Sequence, residues 1–281
     1  MTIPVHQTPV TLTQALRDVG AWTAYFRAAQ IPVLAQTAWL LEELRTNEDR
    51  VDANGLGESI AKAPLMTLKV LAFSAANRGS RVVTDAETVT SALVMMGISP
   101  FFRAFGLQPT VEDWLAEQPE ALEGLKQTLQ RAHRGANFAL AFAVHRMDHD
   151  AAVIHAAALL HDFAEMLIWC HAPILALRIR DAQRADPTLR SAAAQAAVLN
   201  IRLDDLQQSL MKAWRLPELL IRISDDRHAD NSNVRCVTLA VRLARHTAVD
   251  WNNPAIPDDI NDLSALLNLS PAATLDLVRQ I

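Results

Sequence analysis

His161 and Asp162 stand side by side within the most apolar stretch of the chain, Ala151 to Trp169. A buried carboxylate is costly unless a cation, a metal or a hydrogen-bond donor pairs with it. His133 lies upstream, on what reads as the core side of another helix. One imidazole from one helix, with an imidazole and a carboxylate from the next, is the beginning of a divalent-metal site, because neutral histidine and carboxylate suit borderline metals. The chemistry would be hydrolysis, since a bound metal supplies hydroxide at neutral pH. The plainer reading makes His133 a core histidine and His161-Asp162 a buried polar pair, with Asp162 accepting from either imidazole. His145, His149 and His155 also gather, but Asp148 and Asp150 beside them read as the N-cap region of a helix. No glycine-rich phosphate loop, no Gly-x-Ser-x-Gly and no nucleophilic cysteine setting occurs.

Composition bounds the rest. The 281 residues suit one large domain or two small ones, and 51% hydrophobic residues can fill a substantial core. A net charge of −5 argues against a nucleic-acid partner, which selects for a basic face. Cys170 and Cys236 are far apart and form no Cys-x-x-Cys, which fits a reducing compartment. The opening residues lack the basic-then-apolar order of a signal peptide. Asp162 and Glu165 interrupt the apolar run, so it does not read as a membrane span. The expectation is a cytoplasmic protein. Eight glycines and few β-branched runs predict an all-α fold.

The elements that must position these residues follow from periodicity. A first helix is predicted over Thr11–Ala29, with Thr11 and Gln14 as a capping box. Pro32 opens a second, Asn54-Gly55 marks a turn, and further helices run over Glu58–Lys62 and Pro64–Ala75. Thr84 and Glu87 suggest another capping box, Gly97 a C-terminal cap, and Ser99-Pro100 a helix start. Thr110–Leu115 is short. Pro119–His145 is long, with His133 on its apolar stripe. The His-Asp stretch reads as one helix, as does 190–214. Leu216-Pro217 breaks the chain before helices to Asp226, over Val234–His246, Asn261–Leu267 and Pro271–Gln280. Trp22, Trp39, Trp114, Trp169 and Trp214 read as core, while Trp251 reads as a surface cap. Asp225-Asp226-Arg227 and Asp258-Asp259 read as solvated charges.

The order His133, Leu159-Leu160-His161-Asp162, Trp214-Arg-Leu-Pro217, His228 resembles the HD phosphohydrolase superfamily. The first half narrows the resemblance to its HDOD branch, the metal-dependent hydrolase-related output domain. Ile31-Pro-Val-Leu34 is similar to that family's Leu-Pro-x-Leu-Pro opening. Ser59 to Asn77 resembles its Asp-Pro-x-Leu … Ala-Asn-Ser segment, and Thr90 to Gly97 its Ala-Ile-x-x-Leu-Gly helix. The resemblance implies a bacterial, all-α signalling domain without the full hydrolase site. It also implies where metal ligands would fall: His133, His161, Asp162 and His228 on matching positions, but Leu203 and Val241 where an active member carries His and Asp. Ala164-Glu165 replaces the Gly-Lys that commonly follows His-Asp.

These readings divide the chain into an N-terminal helical extension (1–30), an HDOD domain (31–250, with an N-terminal lobe to about 115) and C-terminal helices packed on it (251–281). The resemblance implies a non-catalytic output or scaffold module whose partner is another signalling protein, with no cofactor beyond a residual divalent ion at His133, His161, Asp162 and His228. The alternatives are a metal-dependent phosphohydrolase using those four residues, and a nucleotide sensor drawing on Arg134 and Arg227.

Overall fold

A computed structural model describes residues 11–78 and 85–281. Thr84 of the expected capping box lies outside the described residues. The first helix, α1 (Val19–Ala28), starts well after Thr11. Asp18 sets its start, accepting from the Ala21 amide at 2.8 Å. The residues before it find their partners elsewhere. The Leu12 amide donates to the His171 carbonyl at 2.7 Å, and Asn200 donates to the Leu16 carbonyl at 3.1 Å. The helix is no free extension: Trp22 and Phe26 are buried in the main core, and the Trp22 indole donates to the Leu199 carbonyl at 3.1 Å.

An N-terminal lobe follows, made of α2 (Ala35–Thr46), α3 (Ala53–Ile60), α4 (Pro64–Ala76), α5 (Val89–Met96) and α6 (Ile98–Ala104). Asn54-Gly55 is not a turn. Both amides donate to Asp52, which caps α3 around them. Thr88 with Ser91 forms the capping box of α5. Gly97, at φ 84°, ends α5 and precedes α6 directly, so Ser99-Pro100 fall inside a helix rather than at its start. Trp39 is 73% exposed on α2, against its expected place in the core.

The remaining helices are α7 (Val111–Trp114), α8 (Pro119–His145), α9 (Ala151–Leu159), α10 (Phe163–His171), α11 (Pro173–Ala185), α12 (Ser191–Leu199), α13 (Leu203–Ala213), α14 (Glu218–Ile223), α15 (Ser232–His246), α16 (Ile256–Leu267) and α17 (Pro271–Arg279). Among the described residues the only strand-like pairing is one parallel backbone bridge between Val33 and Thr110. Segment 190–214 divides at Asn200, which adopts the left-handed conformation that closes a helix at φ 64°. Asp259 is not solvated. It is 1% exposed and accepts from Arg242 at 2.7 Å and His246 at 2.6 Å, tying α16 to α15.

Two hydrophobic cores result. The smaller fills the N-terminal lobe from Val33 to Phe105, and the larger joins α1 to the helices from α7 onward. Helix α4 serves both: Met66 and Val70 face the lobe, while Leu65, Leu68 and Leu71 face the main core. That is why its sequence is apolar on nearly every side.

The apolar run around His161 is two helices, not one. It has the length and composition of a membrane span, but the chain turns at 160–162 and nearly all of α10 is buried. Successive residues of a straight helix point about 100° apart; at this corner His161 and Asp162 meet instead. Helices α8 and α10 approach closely at Gly124, where an added Cβ would stand 2.5–2.8 Å from the Trp169 ring. Gly124→Ala is therefore expected to destabilise the fold by about 1–3 kcal/mol through overpacking, read as a lower midpoint in urea unfolding.

Candidate functional site

Arg131 projects from α8 on the face that also carries Gly124 and Thr128, and it meets the His-Asp corner. Its Nε and Nη2 both donate to Asp162 Oδ2 at 3.2 Å, and Nη2 also donates to Glu165 Oε2 at 2.9 Å. The other oxygen of Glu165 accepts from the Thr128 hydroxyl at 3.0 Å and the Trp169 indole at 3.3 Å. On the far side of the corner, His161 Nδ1 lies 3.0 Å from Asp162 Oδ1, and His161 Nε2 lies 3.1 Å from Asp226 Oδ2. Asp226 is held in turn by the Thr238 hydroxyl of α15 at 3.1 Å. Arg245, on the same helix, approaches Asp162 Oδ1 at 3.7 Å.

Burial alone would lower the proton affinity of His161. Its hydrogen bonds to Asp162 and Asp226 outweigh burial and raise its pKa to about 10. Burial would likewise raise Asp162, but His161, Arg131 and Arg245 hold it well below the ordinary carboxylate range. Burial also disfavours the charged form of Arg131, yet Glu165 and Asp162 carry its pKa above the ordinary value. The imidazolium and two guanidinium groups thus face the three carboxylates of Asp162, Glu165 and Asp226. In a partly buried site such balance is what makes ionised groups tolerable.

The four expected metal ligands are not brought together. His161 and Asp162 meet, but His133 projects from another face of α8, beside Lys62 and His155, where burial lowers its pKa. His228 is exposed, 3.8 Å from Asp225. Among the described residues no group of three or more His, Cys, Asp or Glu is arranged to hold a metal ion. The residues present do not fit a divalent ion at the corner. Both oxygens of Asp162 face cations, Oδ2 the Arg131 guanidinium and Oδ1 His161 and Arg245. Leu203 lines the cavity beside the corner, whereas Val241 packs against Gly135, away from it. The α15 residues that reach the site are Thr238 and Arg245. Arg134 lies elsewhere, donating to the Thr247 carbonyl at 2.6 Å and stacking on Trp251.

Sequence reasoning missed Arg131, Thr238 and Arg245, and read Asp226 as a solvated charge where it pairs with His161. The available signal was helical spacing: Gly124, Thr128 and Arg131 fall at i, i+4 and i+7 on one face.

An all-helical array with a His-Asp corner at its centre defines a class of protein related to the HD hydrolases. The HDOD domain family model matches residues 31–229, and the chain belongs to that family. Similar solved structures include the MmoQ response regulator from Methylococcus capsulatus, at 21% identity and a TM-score of 0.64, covering 85% of this chain and 98% of that one. A virulence factor from Campylobacter jejuni is similar at 16% identity and a TM-score of 0.63, covering 93% of this chain and 97% of the other. At these identities the likeness concerns the fold. No curated protein matches the sequence.

Two outcomes follow from the ion cluster. Arg131→Met takes the guanidinium from Glu165 and leaves Asp162 with only His161 and Arg245, and is expected to cost about 3 kcal/mol, the scale of breaking one side of a buried pair, measurable by urea denaturation. The folded pKa of His161, about 10, lies above its ordinary 6.5, so its stabilising contribution is complete below pH 6.5 and is lost as pH rises to 10. The stability difference between the wild type and His161→Gln should therefore narrow across that window in denaturation curves taken at each pH.

Proposed function

We propose that this chain is a signal-transduction output or scaffold module that does not turn over phosphoesters, and that it acts by binding another signalling protein. The observation that carries the reading is the fork of Arg131 onto Asp162 and Glu165. A hydrolytic metal needs several protein ligands and an open position for water. Here the carboxylate that would anchor the metal accepts from a fixed cation and from His161. The three positive groups close to Asp162, on His161, Arg131 and Arg245, also oppose the entry of a divalent ion by Coulomb repulsion. Glu165 is part of the same economy: it completes the cradle for Arg131. Membership of the HDOD family supports the signalling role, as does the fold shared with a protein described as a response regulator.

The test is direct. Purified protein incubated with Mn²⁺ and bis(p-nitrophenyl) phosphate, and separately with cyclic dinucleotides, should release no product above the buffer rate. Elemental analysis should find no transition metal near stoichiometry. Turnover abolished by His161→Ala would overturn the proposal in favour of a metal-dependent phosphohydrolase.

A further inference from the structure

Beside the ion cluster lies a cavity of about 660 Å³, walled by α8, α10, α11, α12 and α13 and by residues 224–227. This is within the range of small-molecule sites. Its charges nearly cancel. With the His161 imidazolium counted, the lining carries seven positive groups against six carboxylates, and Arg180 turns to Glu120, outside the lining, at 2.7 Å. Arg131, Arg202 and Arg227 each hold a carboxylate of the lining, and Arg245 stands 3.7 Å from Asp162. Asp205 accepts no hydrogen bond among the described residues, but its charge acts on Arg202 and Arg227. Arg184, near the end of α11, is the guanidinium of the lining with no acidic partner among the described residues.

The start of α12 opens on the same cavity through Ser191 and Ala192. It has no side-chain cap and no acid in its first turn, and the Ser191 and Ala192 amides find no acceptor among the described residues. Gln183 donates to the Ser191 hydroxyl at 2.9 Å, which brings the end of α11, with Arg184, beside this helix start. Free first-turn amides and the helix dipole attract an anion. The start of α13 lines the cavity too, but Asp204 and Asp205 already stand in its first turn. A separate observation also points to a ligand. Gln207 is 5% exposed, lines the cavity and makes no side-chain hydrogen bond among the described residues. Its amide is not sealed in, unlike the Gln208 oxygen beside it, so it opens on the cavity. Buried polar groups are almost always paired, and here a bound molecule would supply the partner. Ile168, Trp169, Ile179 and Leu203 add apolar surface.

We propose that this cavity binds an organic monocarboxylate with an apolar body. Its carboxylate meets Arg184 and the uncapped start of α12, because a planar guanidinium and backbone N–H groups suit its two oxygens. The body lies along the apolar wall, and a polar group on it pairs with the Gln207 amide. A dianion would leave an excess of negative charge in a partly enclosed space, whereas a carboxylate adds one charge to a lining that is close to balance. The inference rests on the non-catalytic reading of this site, since a metal at the corner would change the charge count. It deepens that reading by giving the module a small-molecule input next to the Arg131 cluster.

Saturation-transfer NMR on the full chain tests it, with indole-3-acetate as probe, indole-3-acetamide and 1-methylindole-3-acetate as controls and cyclic AMP as competitor. The expected result is transfer to indole-3-acetate, roughly tenfold weaker binding of the uncharged amide, the scale of one charge-assisted hydrogen bond, and no displacement by cyclic AMP. Arg184→Gln should weaken binding by roughly the same factor and leave the melting temperature unchanged, because Arg184 has no partner to lose. Ala192→Asp should abolish binding while raising the melting temperature, because an acid of the chain then occupies the start of α12. Gln207→Leu should erase the preference for the probe over its N-methyl form. Several outcomes would overturn the proposal: no transfer, equal transfer to indole-3-acetamide, undiminished binding in Arg184→Gln or Ala192→Asp, or displacement by cyclic AMP. Absent transfer together with absent phosphodiesterase activity removes this inference alone. Phosphodiesterase activity removes the reading on which it rests.

Discussion

The contact on which the centre of the molecule depends is the fork of Arg131 onto Asp162 and Glu165. Two helices and a corner meet there: α8 brings the guanidinium, the corner before α10 brings Asp162, and α10 itself brings Glu165. Each carboxylate would be costly in this setting alone. Joined by one planar cation they become a cross-link, because guanidinium geometry allows several directed hydrogen bonds at once where an ammonium would offer a point charge. His161 and Asp226 extend the same network to α15. The result is a set of ionised groups whose positions are mutually determined.

That cross-link holds ionised groups together at the centre of the HDOD shell. A metal would organise the corner by drawing ligands from several helices. An arginine does the same work with charge that belongs to the chain, and needs no open coordination position. The cavity beside the corner keeps its shape because its walls are the same helices.

The packing around the site follows the same economy. Helix α4 closes two cores at once and fixes the N-terminal lobe against the rest. Gly124 lets the Trp169 ring come close to α8, and the Trp169 indole then holds Glu165 for Arg131. Helix α1 fills the opposite side with Trp22 and Phe26.

The sequence by itself determined the all-helical class, the long helix Pro119–His145, the helix opening at Pro64 and the His161-Asp162 pair. These depend on local periodicity and on proline placement, which act within a few residues. It also carried the family resemblance from residue 31 onward, since motif order survives without knowledge of contacts. What the tertiary structure decided is which charged residues meet. His133 and Arg131 are two residues apart on one helix, so their side chains point about 200° apart; composition favours the histidine as a ligand, and only the position of α10 shows that the arginine faces it. The break at 160–162 was likewise hidden, because a largely apolar stretch without proline or glycine reads as one helix even where charges interrupt it. Asp226, Thr238 and Arg245 lie far along the chain from His161, and no local rule connects them. They became one site through the packing of α15 against α8 and α9.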